Sequence, residues 1–184
     1  IDSFITIAFW AYGNPDILPA NNSVMYGYNA QNHRQVNVHL PWSNGNIYWD
    51  CGSGGPYDRI DKAASTSQYE GQWNHYVFTK NSSTGIMNIY LNGTLWHTGS
   101  GKTLPVALTD LILGKAPYGE SYFGKMDELS VWNTELDAAI IQNWMYRTLD
   151  ATHPNFANLL TYYKLDAGSG TSVLDLGGVT NPGE

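Results

Sequence analysis

Apolar side chains fill both faces of residues 4–12 (FITIAFWAY), the pattern of a strand buried in the middle of a sandwich, and Gly13-Asn14-Pro15-Asp16 ends it with turn chemistry. Shorter strand patterns follow over residues 24–28, 35–40 and 46–49, separated by the Asn, Gly, Ser and Pro clusters that punctuate all-β folds. Residues 72–80 (QWNHYVFTK) and 86–91 (IMNIYL) form the next pair, and Asn92-Gly93 predicts a tight hairpin returning through residues 94–98. Residues 111–114 and 123–132 complete the run. Residues 159–165 (LLTYYKL) resume strand character before a Gly-rich tail. The class predicted is all-β, two stacked antiparallel sheets, with one late helix.

That helix follows from residues 123–136 (FGKMDELSVWNTEL). Alternation places Met126, Glu128, Ser130 and Trp132 on one face of a strand and Asp127, Leu129 and Val131 on the other, so the two neighbouring carboxylates are expected to face apart. Thr134 and Asp137 have the form of a capping box. Leu136, Ala139, Ile140, Asn143 and Trp144 share a helical stripe, which predicts a helix over about residues 135–146.

At 184 residues the chain fits one domain, and 42% hydrophobic content with 14% aromatic suffices for a sizeable core. A formal net charge of -7 with no Lys/Arg cluster argues against a nucleic-acid partner. Cys51 is the only cysteine, so no intrachain disulfide forms. No run approaches the length that spans a bilayer, and the chain opens on Ile1 without a basic, apolar leader, as expected of a processed chain or an excerpt of a longer one.

Trp42, Asn44, Tyr48, Trp49 and Asp50, with Tyr57 and Arg59 just after, form the densest polar and aromatic cluster. This is the composition of a sugar platform, aromatic faces stacking on pyranose rings while Asn, Asp and Arg bond hydroxyls. The competing reading is ordinary packing of the aromatics. Asp58 and Asp61 read as loop residues. The five histidines lack paired metal spacing and read as satisfied surface or strand residues. Asn21, Asn81 and Asn92 open N-x-Ser/Thr triplets and read as loop positions.

Four segments, residues 4–12, Gly71-Gln72-Trp73-Asn74-His75-Tyr76-Val77, Tyr90-Leu91-Asn92-Gly93 and residues 123–136, together resemble the laminin-G-like jelly roll of the concanavalin A-like lectin and glucanase superfamily, in its bacterial multi-domain form. The likeness covers most of residues 1–146. It departs from the pattern in one respect: the strand with which such domains usually begin is found here at residues 162–175. The tail then either begins a following repeat or docks in the vacant slot of a single domain spanning 1–184. The need to cover a sheet edge favours docking.

The resemblance implies that Asp127 lies near a calcium site, with backbone carbonyls supplying most other ligands, and that Glu128 is a structural or solvated neighbour. Asp166 and Asp175 in the tail offer further carboxylates. The leading reading is a non-catalytic recognition module of a larger secreted or cell-surface protein, which the fold alone does not establish. Such a module binds carbohydrate, or a protein surface such as a cell-surface glycoprotein, through rim loops ordered by calcium, beside neighbouring domains of the same polypeptide. A structural or adhesin repeat without a small ligand is the alternative. A glycoside hydrolase is disfavoured, because the Glu-x-Asp-x-Glu triplet of the superfamily's glucanases is absent.

Overall fold

In chain order the strands are β1 (Phe4–Gly13), β2 (Met25–Tyr28), β3 (Arg34–His39), β4 (Asn46–Cys51), β5 (Asp58–Ala63), β6 (Trp73–Asn81), β7 (Ile86–Leu91), β8 (Thr94–Gly99), β9 (Asp110–Leu113), β10 (Gly124–Trp132) and β11 (Leu159–Tyr163), with helix α1 (Ala138–Trp144) after β10. The computed structural model describes residues 3–52, 56–170 and 172–177. Two antiparallel sheets stack face to face, one ordered β11-β10-β1-β6-β7-β8 and the other β5-β4-β3-β2-β9, which is the two-sheet sandwich the turn punctuation predicts and the jelly roll the resemblance implies. No helix among the described residues is long and apolar enough to cross a membrane.

The apolar strand β1 sits between β6 and β10. Its Ile5, Ile7, Phe9 and Ala11 meet Val36, Val38, Trp49, Phe78 and Ile89 in the core between the sheets. The hairpin at Asn92-Gly93 forms with both residues in the left-handed region (φ 51° and 78°), which Gly and Asn adopt most readily. Asn92 also accepts the His75 amide through its side chain at 2.8 Å, tying this turn to β6.

Three local expectations are corrected. Residues 58–63 are not a loop but the edge strand β5, paired with β4; only Ile60 is buried there, so solvent-facing polar side chains hid the strand. The helix starts later than the capping-box reading requires, because Asp137 is itself the N-cap and its Oδ1 accepts the Ile140 amide at 2.8 Å. Thr134 contributes a carbonyl that accepts the Thr6 hydroxyl at 2.7 Å. The packed stripe is Leu136, Ile140, Ile141 and Trp144, while Ala139 and Asn143 face solvent.

The third correction concerns the two carboxylates. Ala8 pairs with Ser130 but Trp10 pairs with Asp127, so β10 carries one extra residue, a bulge, opposite Phe9. Glu128 absorbs it at φ 53°. Met126, Leu129 and Val131 turn toward the core, whereas Asp127, Glu128, Ser130 and Trp132 all line the outer face of the six-stranded sheet. The bulge therefore brings the neighbouring carboxylates to the same face.

β11 pairs with β10 in register Leu129 with Tyr163 and forms the sheet edge. Asp175 clamps the tail across it, accepting the Tyr162 amide at 2.8 Å, the Gly177 amide at 2.7 Å and the Thr161 hydroxyl at 2.5 Å. The remainder of the expected tail, residues 178–184 with Thr171, lies outside the described residues.

Candidate functional site

The outer face of the five-stranded sheet holds a shallow cavity of about 310 Å³. Strand alternation builds its floor: Arg59, Asp50, Asn37 and Tyr26 are successive register partners across β5, β4, β3 and β2, with His39 opposite Tyr48 in the next row. Trp42, in the β3–β4 loop, meets the His39 ring edge-on at 4.6 Å between centroids. Tyr118 stands 81% exposed at the opposite rim, edge-on to Tyr26.

Asp50 organises the charges. It is fully buried and receives Arg59 through both oxygens, Nε to Oδ1 at 2.6 Å and Nη2 to Oδ2 at 2.7 Å. That bidentate carboxylate holds the Arg59 guanidinium charged, raising its already high pKa. Arg34 Nη2 lies 3.2 Å from Oδ2 without hydrogen-bond alignment. The two guanidinium groups are interleaved with aromatic rings, Arg34 at 3.5 Å from the Tyr57 centroid and Arg59 at 4.7 Å from Tyr48 and 5.0 Å from Tyr57. Asn44 donates to the Tyr48 hydroxyl at 2.7 Å.

His39 is held neutral by burial, and its Nδ1 donates to the Asn22 carbonyl, which fixes the tautomer and leaves Nε2 as the acceptor facing Asn37. Glu120 lines the same cavity with Oε2 buried and unpartnered among the described residues. The result is a fixed array of donors and acceptors between aromatic faces.

The family model for the concanavalin A-like lectin/glucanases superfamily matches residues 2–142. The chain belongs to this superfamily. This concanavalin A-like domain is similar in structure to a candidate carbohydrate-binding protein from Bacteroides ovatus, at 21% identity and a TM-score of 0.69, over 98% of this chain and 51% of that one. It is also similar to the binding domain of botulinum neurotoxin serotype G, at 18% identity and a TM-score of 0.59, over 84% of this chain and 40% of that one. A third similar structure is domain 4 of an extracellular arabinanase from Geobacillus stearothermophilus, in complex with arabinotriose, at 19% identity and a TM-score of 0.57, over 77% of this chain and 66% of that one. The chain spans about half the length of the Bacteroides protein. These likenesses are of fold. No curated protein sequence matches the domain.

Within the concanavalin A-like domain, Trp42, Tyr48 and Arg59 line the cavity, Tyr57 stacks beside it and Asn44 supports Tyr48. Trp49 does not belong to a platform: it is fully buried between the sheets, with Nε1 donating to the Thr79 carbonyl at 3.2 Å. Asp50 is likewise shut off from solvent and acts by placing the two arginines. Arg34, Asn37, His39, Tyr118 and Glu120 complete the cavity although sequence reasoning passed over them. The alternation of Asn37 and His39 along β3 was the available signal, whereas Arg34 joins their face only because a bulge at Gln35 shifts the β2–β3 register.

Of the histidines, His39, His75 and His97 lie on strands and His33 is exposed, as the sequence reading has it for most of them, whereas His153 is buried outside the strands and His75 keeps a buried Nδ1 without a partner among the described residues. Cys51 is buried too, and its thiol is pushed up to about 12, chiefly by burial, which keeps it protonated.

The carboxylates singled out for calcium stand in three different surroundings. Asp175 has three donors on its carboxylate, Asp127 Oδ1 accepts the Glu128 amide at 3.0 Å, and Asp166 is an exposed tail residue. Among the described residues no three His, Cys, Asp or Glu side chains converge to hold an ion.

Proposed function

We propose that the domain is a non-catalytic carbohydrate-recognition module, of a larger extracellular or cell-surface protein, and that it binds a neutral glycan on the outer face of its five-stranded sheet. The observation that carries this reading is the Arg34, Tyr57, Arg59 and Tyr48 stack fixed on buried Asp50. Trp42, Tyr48 and Tyr118 offer flat apolar faces, and the arginines, Asn37 and Glu120 offer donors and acceptors at fixed positions. Preorganised groups of this kind bond sugar hydroxyls with little loss of side-chain freedom.

The balance of charge favours a neutral ligand, since Arg34 and Arg59 are set against Asp50 and Glu120 on the same surface. Hydrolysis is disfavoured there on geometric grounds. A glycosidase needs two carboxylates reaching the glycosidic bond, and this cavity offers Glu120 while Asp50 is buried beneath two guanidinium groups. The Bacteroides and arabinanase likenesses support carbohydrate as the ligand class. The test is a glycan array followed by calorimetry on Tyr48→Ala and Trp42→Ala. A bound glycan whose affinity falls about tenfold in each variant supports the proposal. An array without hits favours the structural repeat.

A further inference from the structure

The opposite side of the sandwich holds a second cavity, of about 330 Å³, between the six-stranded sheet and the segment following α1. Trp10 and His75, register partners on β1 and β6, form part of its floor, and Asp127 and Glu128 border them from β10. Trp10 Nε1 donates to the Met145 carbonyl at 3.2 Å, and the Tyr146 ring lies 5.4 Å from the Trp10 ring. Tyr146 and Trp73 are exposed at the mouth, 78% and 43% respectively.

The carboxylates here have no cation. Among the described residues neither Asp127 nor Glu128 forms a salt bridge; Glu128 accepts the Tyr162 hydroxyl, and Asp127 accepts the Glu128 amide. Arg147 lines the cavity but has its guanidinium over Trp144, 5.3 Å from the ring centroid. His75 does not compensate either, because burial pushes its pKa down to about 4 and keeps it neutral. Half-buried carboxylates that have hydrogen-bond donors but no countercharge keep part of their desolvation cost, and an incoming cation lowers it.

A second unsatisfied polar group lies in the same floor. His75 is only 7% exposed, and its Nδ1 is buried without a hydrogen-bond partner among the described residues. Such a nitrogen calls for a ligand group. Indole and phenol faces attract organic cations, and the unpaired carboxylates add charge attraction.

We propose that this cavity binds a small organic ammonium ion, held on the faces of Trp10 and Tyr146 against Asp127 and Glu128, with a ligand polar group hydrogen-bonded by His75. A neutral sugar would use the rings and His75 but leave both carboxylate charges uncompensated. The site is separate from the glycan cavity, and its occupancy does not depend on that assignment.

Ammonium chemistry has two plain sources, a quaternary amine and an amino sugar. The test uses two matched pairs of probes, choline with 3,3-dimethylbutanol and glucosamine with N-acetylglucosamine, titrated while NMR shifts or tryptophan fluorescence are followed. At least one cation should bind about tenfold more tightly than its neutral partner. Glu128→Gln, which still accepts the Tyr162 hydroxyl, and Asp127→Asn should each weaken it by a similar factor. Arg147→Ala should tighten binding by removing a competing cation, a gain that misfolding cannot imitate. Tyr48→Ala on the other face should leave the affinity unchanged. Equal binding of neutral and cationic partners, absence of binding by both cations, or affinity that survives the double Asp127→Asn, Glu128→Gln change would overturn the proposal.

Discussion

The outer faces of the two sheets carry cavities of similar size, about 310 and 330 Å³, but they settle their charges in opposite ways. On the five-stranded face Arg34 and Arg59 close on Asp50 inside the protein, and the aromatic rings are already stacked on those guanidinium groups. On the six-stranded face, among the described residues, Asp127 and Glu128 close on no cation, and no cation lies over the Trp10, Trp73 or Tyr146 rings. A surface whose charges are satisfied internally is suited to an uncharged ligand. One whose charges are left open is suited to a ligand that brings the missing sign.

The largest test of this contrast is Trp49→Ala. Because Trp49 is core rather than platform, the substitution should lower unfolding free energy by about 4 kcal/mol, read from urea denaturation. A stable Trp49→Ala variant that had lost only glycan binding would move Trp49 back to the surface site. Asp50→Ala should cost somewhat less, about 3 kcal/mol, since it strands two partly exposed guanidinium groups. It should also abolish glycan binding while the folded fraction still binds ammonium.

The six-stranded face should show itself in the pH dependence. The unfolded chain protonates His75 near its ordinary value of 6.5, whereas the folded protein holds it neutral to about 4. The unfolded state therefore binds more protons between those values, and stability falls as pH drops through that window, with the His75 share levelling off below it. That share is roughly 3 kcal/mol, and His75→Gln should flatten the acid side of the stability profile correspondingly. An unchanged slope would mean that His75 is not held neutral. The smallest effect concerns calcium: with the Asp175 oxygens occupied by protein donors, added calcium should leave the melting temperature unchanged, and a clear rise would point to a calcium site near Asp127 or Asp166.

The same contrast explains what the sequence could reveal. Regular alternation and a short loop put Trp42, Tyr48, Tyr57 and Arg59 close together in the chain as well as in space, so their cluster was visible. Trp49 and Asp50 belonged to that run by composition, and only the inward or buried placement of their side chains separates them from it. The second cavity gathers Trp10, His75, Asp127 and Tyr146 from four distant segments, which no local pattern joins. Its carboxylates were further disguised by the Glu128 bulge, because one inserted residue reverses the alternation on which facing was judged. Strand β5 escaped notice for a related reason, its edge position allowing polar residues on both faces.

The most direct measurement of the central claim is a glycan array probed in parallel with wild type, Tyr48→Ala and Glu128→Gln. The account predicts a neutral glycan bound by wild type and Glu128→Gln alike and lost or severely weakened in Tyr48→Ala. Binding that persists in Tyr48→Ala and disappears in Glu128→Gln would contradict it, placing carbohydrate recognition on the six-stranded face.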